Sequence, residues 1–349
     1  MTQTDTATES IARSAWPEVP AHVLPSLPEL QDAARVVYGA MPPTPQYRWP
    51  LLDARCGGAE VWVKHENHTP VGAFKVRGGI VYFDALCRDH PDTPGVVTAT
   101  RGNHGQSVGF AAKRAGVRAA VVVPHGNGAE KNAAMRALGV ELIERGHDFQ
   151  AAVEAADEIA VERGWHRLPS FHPLLVAGVG TYALELFRGA PPLDAVYVPI
   201  GLGSGICGVI AARDALGLRT AVVGVVSEGA PALALSLAAG RVTSHEVTTR
   251  VADGMACRTP VADALAIIAR GAERVVRVSD DAVESAMRAF YADTHNVAEG
   301  GGAASLAALL DDLAAGHASA RGRYGVVLSG ANVDAPAFAR ALLAAAPGA

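Results

Sequence analysis

The chain has 349 residues, of which 50% are hydrophobic and 19% are charged, and its net charge is −5. A chain of this size and composition is predicted to fold into one large or two modest globular domains. Acidic and basic residues are interspersed, so a basic surface for nucleic acid is not expected. Apolar runs are broken before they reach membrane-spanning length, and the first residues lack the regions of a signal peptide. We therefore predict a cytoplasmic protein without nucleic-acid or membrane partners.

Polar and Ala-rich residues open the chain, and residues 1–20 are predicted to be a flexible segment. Beyond them, β-branched apolar runs alternate with Ala-rich runs, which predicts βα units around a buried parallel sheet and hence an α/β fold. The predicted strands are Glu60–Lys64, Gly95–Ala99, Arg118–Val123, Glu141–Ile143, Ala195–Ile200, Thr220–Val226, Arg274–Val278 and Gly325–Ser329. The predicted helices are Gln106–Ala115, Glu130–Leu138, Phe149–Arg163, Gly178–Phe187, Ile206–Leu216, Asp280–Thr294 and Ala303–Ala315. Ser279 is expected to cap the helix that begins at Asp280.

Cysteine and histidine spacing gives no indication of a metal site. No two of the cysteines form a CxxC pair, so they are predicted to be free thiols. These cysteines are Cys56, Cys87, Cys207 and Cys257. His65, His68 and His172 lack the spacing of metal ligands and are predicted to be polar surface or loop residues.

One lysine lies in a run of glycines and apolar residues, Gly72–Gly79. Apolar neighbours remove part of the solvation of an ammonium group and lower its pKa, and the neutral amine forms a Schiff base with an aldehyde. Most lysines are ordinary surface residues. The glycines here let the backbone bend tightly around Lys75, and Phe74 supplies an aromatic ring beside it. We interpret Lys75 as the attachment point of an aldehyde cofactor.

A second motif, Thr100–Gln106, follows a predicted strand and leads into a helix. Free backbone N–H groups at such a junction form an anion site, which suits the α-carboxylate of an amino acid. The predicted substrate-binding residues are Thr100, Arg101, Gly102, Asn103 and His104. Arg101 has two interpretations: it binds a second anionic group of the substrate, or it forms a salt bridge within the protein.

A third motif is the glycine-rich loop Gly201–Gly205, which joins a predicted strand to a predicted helix. Closely approaching backbone amides, the hydroxyl of Ser204 and the dipole of the helix suit a phosphate dianion. The sequence therefore predicts a phosphate site at this loop.

The same loop also fits a different class of protein. Gly203-x-Gly205-x-x-Gly208 matches the dinucleotide fingerprint, and Glu228 follows the next strand, where a ribose-binding acid is expected. An NAD-dependent dehydrogenase is therefore the alternative. It gives no function to Lys75, which favours the phosphate of an aldehyde cofactor.

These motifs, with Ala298–Ala303 and Ser329–Asn332, resemble the fold-type II (tryptophan synthase β-like) enzymes that depend on pyridoxal phosphate (PLP), in particular their serine/threonine dehydratase branch. The resemblance implies two three-layer αβα domains with mostly parallel sheets and PLP in the cleft between them. A small domain at residues 95–172 would be inserted into a large domain at residues 21–94 and 173–349. A homodimer is also implied.

The resemblance assigns roles to single residues. Lys75 binds PLP and, once freed, acts as the catalytic base, and Asn103 hydrogen-bonds the 3′-oxygen of the pyridine ring. Ser329 faces the ring nitrogen, where a neutral hydroxyl favours β-elimination over racemisation. Glu299 either lines the cofactor side of the cleft or caps a helix. The implied cofactor-binding residues are Phe74, Lys75, Asn103, Gly201, Leu202, Gly203, Ser204, Gly205, Glu299 and Ser329.

The implied activity is that of a PLP-dependent lyase of the ammonia-lyase type. It converts a β-hydroxy amino acid, by default L-threonine or L-serine, to a 2-oxo acid and ammonia. Arg101 occupies the position of an acid/base serine in related serine racemases, and a guanidinium stays protonated, so racemisation is not expected.

Two observations bear on the substrate and on the control of this activity. Two features depart from the family pattern: Arg101, and Leu202 and Ser204 in place of two usual glycines. They leave open the possibility that the substrate is a less common amino acid, such as 3-hydroxyaspartate or phenylserine. Only seventeen residues follow Asn332. A C-terminal regulatory domain is therefore not expected, and we predict a catabolic type of enzyme.

Overall fold

In the computed structural model, which describes residues 11–17 and 24–344, ten strands and thirteen α-helices follow one another along the chain. The strands are β1 (Gln46–Arg48), β2 (Glu60–His65), β3 (Val96–Ala99), β4 (Ala119–Val123), β5 (Glu141–Glu144), β6 (His166–Arg167), β7 (Ala195–Pro199), β8 (Ala221–Ser227), β9 (Arg274–Val278) and β10 (Arg323–Leu328). The helices are α1 (Leu27–Tyr38), α2 (Pro50–Arg55), α3 (Lys75–Asp89), α4 (Asn103–Ala115), α5 (Ala129–Ala137), α6 (Phe149–Arg163), α7 (Pro173–Gly189), α8 (Ser204–Ala215), α9 (Ala232–Ala239), α10 (Ala262–Gly271), α11 (Asp280–Thr294), α12 (Gly300–Ala315) and α13 (Ala335–Leu343).

The strands form two sheets. Six strands pair in the order β1-β2-β10-β7-β8-β9, and four pair in the order β5-β4-β3-β6. Neighbouring strands are parallel throughout, except that β1 is antiparallel to β2. The strands of the smaller sheet all fall within residues 95–172, and those of the larger sheet come before and after this stretch. The domain limits themselves stay a prediction.

Helices cover both faces of each sheet, because most of the strand residues are apolar and buried. On the larger sheet, α7, α8, α9 and α10 pack over one face, and α11 and α12 pack over the other. On the smaller sheet, α3 and α4 cover one face and α6 covers the other. The fold is therefore a pair of three-layer αβα units with mostly parallel sheets, as predicted.

All eight predicted strands and all seven predicted helices are present. The hydroxyl oxygen of Ser279 accepts a hydrogen bond from the backbone N–H of Ala282 (3.1 Å), as its predicted role as a helix cap requires. The predictions missed the short strands β1 and β6 and the helices α1, α2, α3, α9, α10 and α13. Helices α4, α8 and α12 begin two or three residues before their predicted starts, because each first turn lies in a motif that was assigned to a loop.

Residues 11–17, part of the segment predicted to be flexible, are packed against the helices of the larger sheet. Arg13 donates hydrogen bonds to the backbone oxygens of Ala269 (2.6 Å) and Ala272 (2.7 Å) near the end of α10. The side chain of Trp16 is buried in the same apolar core. The other residues of the predicted flexible segment lie outside the described residues.

The structure bears on two further predictions, one for the cysteines and one for His65. The four cysteines are free thiols, as predicted. His65 was predicted to be a surface or loop residue but is fully buried, and burial lowers its pKa to about 4.

Within residues 11–17 and 24–344, no helix is long and apolar enough to cross a bilayer, and no three acidic, His or Cys side chains are grouped to hold a metal ion.

Candidate active site

A pocket lies at the carboxyl ends of β3, β7 and β10, the edge where parallel α/β sheets usually bind their ligands. All fourteen residues that the sequence motifs predicted for the site line this pocket. They are Phe74, Lys75, Thr100, Arg101, Gly102, Asn103, His104, Gly201, Leu202, Gly203, Ser204, Gly205, Glu299 and Ser329. The fold thus brings together motifs that are distant in the sequence, from both sheets.

Lys75 is the first residue of α3, and its ammonium nitrogen lies 4.4 Å from the centroid of the Phe74 ring. Burial lowers the pKa of Lys75, and the nearby carboxylates of Glu299 and Asp253 oppose this shift only in part. The backbone N–H of Phe74 donates to the carbonyl oxygen of Ser329 (3.0 Å), which ties the start of α3 to the end of β10. The amine is therefore held in the pocket and is easier to deprotonate than an exposed lysine.

Gly72 makes the turn that leads into Lys75. Its φ of +69° lies in the left-handed region, and a Cβ atom added to it would lie 2.8 Å from Oδ1 of Asn332. Its carbonyl oxygen accepts a hydrogen bond from the backbone N–H of Ala331 (2.9 Å). Only glycine fits both the backbone and the space here, so the turn fixes where α3 begins.

The loop Gly201–Gly205 leads from β7 into α8 and contains a second constrained turn. Gly203 has a φ of +108°, and a Cβ atom on it would lie 2.8 Å from Cβ of Ala264. Because α8 begins at Ser204, the N–H groups of its first turn have no partners within the helix. These free N–H groups and the positive end of the helix dipole form an anion site at the pocket.

The loop Thr100–His104 leads from β3 into α4 and forms a second anion site of the same kind. The side-chain oxygen of Thr100 accepts a hydrogen bond from the backbone N–H of Gly102 (3.0 Å), which closes the loop. Burial lowers the pKa of His104 to about 3, so its ring is neutral. Nε2 of this ring lies 3.2 Å from the hydroxyl oxygen of Thr98. His104 therefore contributes no positive charge to this end of the pocket.

Asn103 is hydrogen-bonded on both sides of its side-chain amide. Its Nδ2 donates to Oε1 of Glu299 (2.6 Å), and its Oδ1 accepts from Nδ2 of Asn332 (2.8 Å). Burial raises the pKa of Glu299 to about 7, against the opposing charges of Lys131 and Lys75. Glu299 is also the residue that precedes the first turn of α12, so it both lines the pocket and stands at a helix start.

Several residues of the site were missed by sequence reasoning. Lys131 of α5 forms an ion pair with Asp253, which lies beyond β8, and both side chains line the pocket. A pair separated by more than a hundred residues leaves no spacing signal in one sequence.

Behind the pocket, the guanidinium of Arg77 on α3 is fully buried between two carboxylates. Its Nε lies 2.7 Å from Oε2 of Glu66, and its Nη1 lies 2.7 Å from Oε1 of Glu185. Lys64 pairs with the same Glu185 at 2.6 Å. The sequence motifs gave no indication of these ion pairs.

The comparisons with known proteins agree with the motifs. A family described as pyridoxal-phosphate dependent enzymes matches residues 37–330. The biosynthetic L-threonine dehydratase of Salmonella typhimurium (strain LT2) is 33% identical over 85% of this chain and 58% of its own. The catabolic L-threonine dehydratase of Escherichia coli (strain K12) is 30% identical over 90% of this chain and 96% of its own. The processed form of threonine deaminase isoform 2 from Solanum lycopersicum aligns with a TM-score of 0.87 at 26% identity, over 99% of each chain.

The chain belongs to the pyridoxal-phosphate dependent enzymes. It spans 58% of the length of the biosynthetic relative, and nearly the whole length of the catabolic one. The cofactor is therefore PLP, and the alternative of an NAD-dependent dehydrogenase is wrong. Glu228, the acid required by that alternative, is exposed and does not line the pocket.

The residues present fit this cofactor. A lysine of lowered pKa is available for its aldehyde, and the glycine loop at the start of α8 offers free N–H groups for its phosphate. Asn103 and Ser329 supply neutral polar groups in the same pocket. An amine, an anion site and two neutral polar side chains thus lie in one pocket.

Proposed function

We propose that the protein is a PLP-dependent lyase that converts a β-hydroxy amino acid, by default L-threonine or L-serine, to a 2-oxo acid and ammonia. The observation that carries this proposal is the position of Lys75, a half-buried amine of lowered pKa that lines the same pocket as two anion sites. The names of the relatives, which are threonine dehydratases at 30–33% identity, support the choice of substrate.

The chain's own residues would hold the cofactor at three points. Nζ of Lys75 would bond to its aldehyde carbon, the loop Gly201–Gly205 would bind its phosphate, and Asn103 and Ser329 would face its ring. The loop Thr100–His104 would bind the α-carboxylate of the substrate at the start of α4. Bound PLP withdraws electrons from the substrate's α-carbon, which makes the α-proton removable by an amine.

Lys75 then moves the protons. With a substrate bound, Nζ of Lys75 would be placed to take the proton from the α-carbon, because its lowered pKa leaves it unprotonated more often than an exposed lysine. The same Nζ holds the proton that the β-hydroxyl needs in order to leave as water. Water returns in the final hydrolysis, so threonine gives one 2-oxo acid and one ammonia with no net change in water.

The test is the release of 2-oxo acid and ammonia from threonine and serine by the purified protein. Lys75→Arg keeps the positive charge but removes the nucleophilic amine, and it is expected to abolish the activity. Lys113→Arg is the matched control, because Lys113 is an exposed lysine on α4. Equal activity of Lys75→Arg and Lys113→Arg would contradict the proposal.

A second candidate substrate is a β-hydroxy amino acid with a second carboxylate, such as 3-hydroxyaspartate. The observation that favours it is that both Arg101 and Arg258 line the pocket with exposed side chains. Arg258 lies 3.8 Å from Asp148, and Arg101 has no hydrogen-bond or ion-pair partner among the described residues. Two guanidinium groups at one pocket suit a dianionic substrate.

Comparing kcat/KM for threonine, serine, 3-hydroxyaspartate and phenylserine decides between these substrates. If a second carboxylate is recognised, Arg101→Gln lowers kcat/KM about tenfold or more for 3-hydroxyaspartate alone, as expected for the loss of a charged hydrogen bond. A similar loss for every substrate would instead place Arg101 on the α-carboxylate.

We also infer from the resemblance that two copies of the 35.9 kDa chain form a homodimer in the cytoplasm. Light scattering coupled to size exclusion measures the mass directly. A mass of one chain at micromolar concentration would contradict the dimer.

A further inference from the structure

The amide orientation of Asn103 is set by a chain of three hydrogen-bonding groups that ends at a backbone carbonyl. Nδ2 of Asn332 donates both to the carbonyl oxygen of Val71 (2.8 Å) and to Oδ1 of Asn103 (2.8 Å). A backbone carbonyl can only accept, so the atom of Asn332 that faces Val71 must be the amide nitrogen. The atom of Asn103 that faces Asn332 must then be the oxygen.

The same argument identifies the amide atom of Asn103 that faces Glu299. With Oδ1 turned to Asn332, Nδ2 faces Glu299 and donates to Oε1 over 2.6 Å. An amide nitrogen carries two hydrogens, and no second acceptor for Nδ2 is found in the part of the chain that the structure describes. Since Asn103 lines the pocket, this second N–H is available to an acceptor that is bound there.

Asn332 is itself held in place by the segment Ser329–Asn332, which lies beside the turn before Lys75. The carbonyl oxygen of Ser329 accepts from the N–H of Phe74 (3.0 Å), and the N–H of Ala331 donates to the carbonyl oxygen of Gly72 (2.9 Å). These two hydrogen bonds join the end of β10 to the start of α3, and from there the side chain of Asn332 extends to Asn103 on α4.

We infer that Asn332 is a positioning residue, which fixes the amide of Asn103 so that its nitrogen, and not its oxygen, donates to an anionic oxygen on the ring of bound PLP. This inference rests on the proposed placement of the cofactor ring against Asn103. A flipped amide would present a carbonyl oxygen to that ring oxygen and would repel it. Asn332 need not touch the cofactor to have this effect.

Asn332→Asp tests the inference with almost no change in shape. A carboxylate at position 332 cannot donate to Val71 or to Oδ1 of Asn103, so the amide of Asn103 turns over to donate to it. The loss of one hydrogen bond to a charged group is expected to raise the Kd for PLP about tenfold. The Kd is measured on the holoenzyme by equilibrium dialysis at stepped PLP concentrations, with the visible absorption band as the readout.

The same change in an Asn103→Ala background separates positioning from general damage to the fold. If Asn332 acts through Asn103, Asn332→Asp changes the Kd for PLP less than about twofold when Asn103 is already absent. Asn67→Asp is the matched control, because Asn67 donates to Oδ1 of Asn296 (3.0 Å) in another Asn–Asn pair, outside the pocket. It is expected to leave the Kd for PLP within about twofold of the original protein.

Each result either supports or overturns the inference. The same rise in Kd with and without Asn103, or no rise in either background, would overturn it while leaving the proposed function intact. An unaltered protein with no visible PLP band would overturn both. If Asn332→Asp does not fold, Asn332→Ala removes the donor without adding charge, and its effect on the Kd must likewise depend on Asn103.

Discussion

At the scale of single residues, the pocket contains two ionisable groups whose pKa values are shifted toward each other. Burial lowers the pKa of Lys75, and burial raises the pKa of Glu299 to about 7. Pairs of groups shifted in opposite directions are typical of sites that transfer protons near neutral pH. Here Lys75 is the base that the proposed reaction needs. The carboxyl group of Glu299 instead accepts a hydrogen bond from Asn103.

The raised pKa of Glu299 predicts a stability cost that depends on pH. Its folded value of about 7 lies above the ordinary 4.5, so the folded state binds this proton more tightly than the unfolded state. The free energy of unfolding should therefore fall as pH rises from about 4.5 to about 7, by roughly 3 kcal/mol at most. Glu299→Gln is neutral at every pH and should lose this dependence.

Urea unfolding of the cofactor-free protein at about pH 5 and about pH 8 measures this effect. The groups that face Glu299 are Lys131, Asp253 and Lys75, and they are the same in both proteins. The stability of the variant relative to the original protein is expected to rise by about 2–3 kcal/mol between the two pH values. Parallel pH profiles would show that Glu299 is already ionised at low pH.

At the scale of elements, the glycine motifs lie in the first turns of helices as well as in the loops before them. Asn103, Ser204 and Gly300 are the first residues of α4, α8 and α12. Glycine lowers helix propensity, so the sequence pattern placed these residues in loops. At the starts of α4 and α8, which line the pocket, this leaves the first N–H groups of the helix free to bind an anion.

Gly203 should therefore be a position where a single methyl group weakens cofactor binding. Gly203→Ala adds both an unfavourable φ and a contact with Ala264. A strain of about 1–3 kcal/mol is expected, and because it falls on the anion loop, the Kd for PLP should rise about tenfold or more. Gly217→Ala is the control: its φ is +64°, but a Cβ atom there meets nothing within 4 Å. A matching rise in Kd for both variants would show that the loop does not bind the phosphate.

Helix α3 carries Lys75 and is anchored by the buried Arg77, so this arginine should matter to stability more than any exposed one. Arg77→Met leaves Glu66 and Glu185 buried with one positive partner fewer. Removing one member of a buried ion pair costs about 3–5 kcal/mol. Arg88→Met on the same helix breaks only exposed pairs, with Asp84 and Asp89, and should cost less than about 1 kcal/mol. Comparable urea midpoints for the two variants would argue against the buried network as the anchor.

At the scale of the whole molecule, the sequence predicted the chemistry better than it predicted the contacts. Strands such as β9 were predictable because a buried parallel strand is a short apolar run with clear ends. β6 has two residues, His166 and Arg167, and no such pattern. Lys75 and the two anion loops were found because each is a local motif.

The partners of these motifs were not predictable in the same way. Asn332 was included in a motif but given no role, because its contact with Asn103 joins segments 229 residues apart. The ion pair of Lys131 with Asp253 joins segments 122 residues apart. Contacts between such distant segments can be identified only from the three-dimensional structure.

The central claim is that PLP is attached to Lys75, and reduction of the protein with borohydride tests it most directly. The chain has four lysines, Lys64, Lys75, Lys113 and Lys131, so peptide mapping can distinguish them all. Lys131 is the informative rival, because it also lines the pocket but is paired with Asp253. We expect the visible band to disappear on reduction and the pyridoxyl group to be found on the peptide that contains Lys75. A pyridoxyl group on Lys131, or a protein with no visible band, would contradict the account.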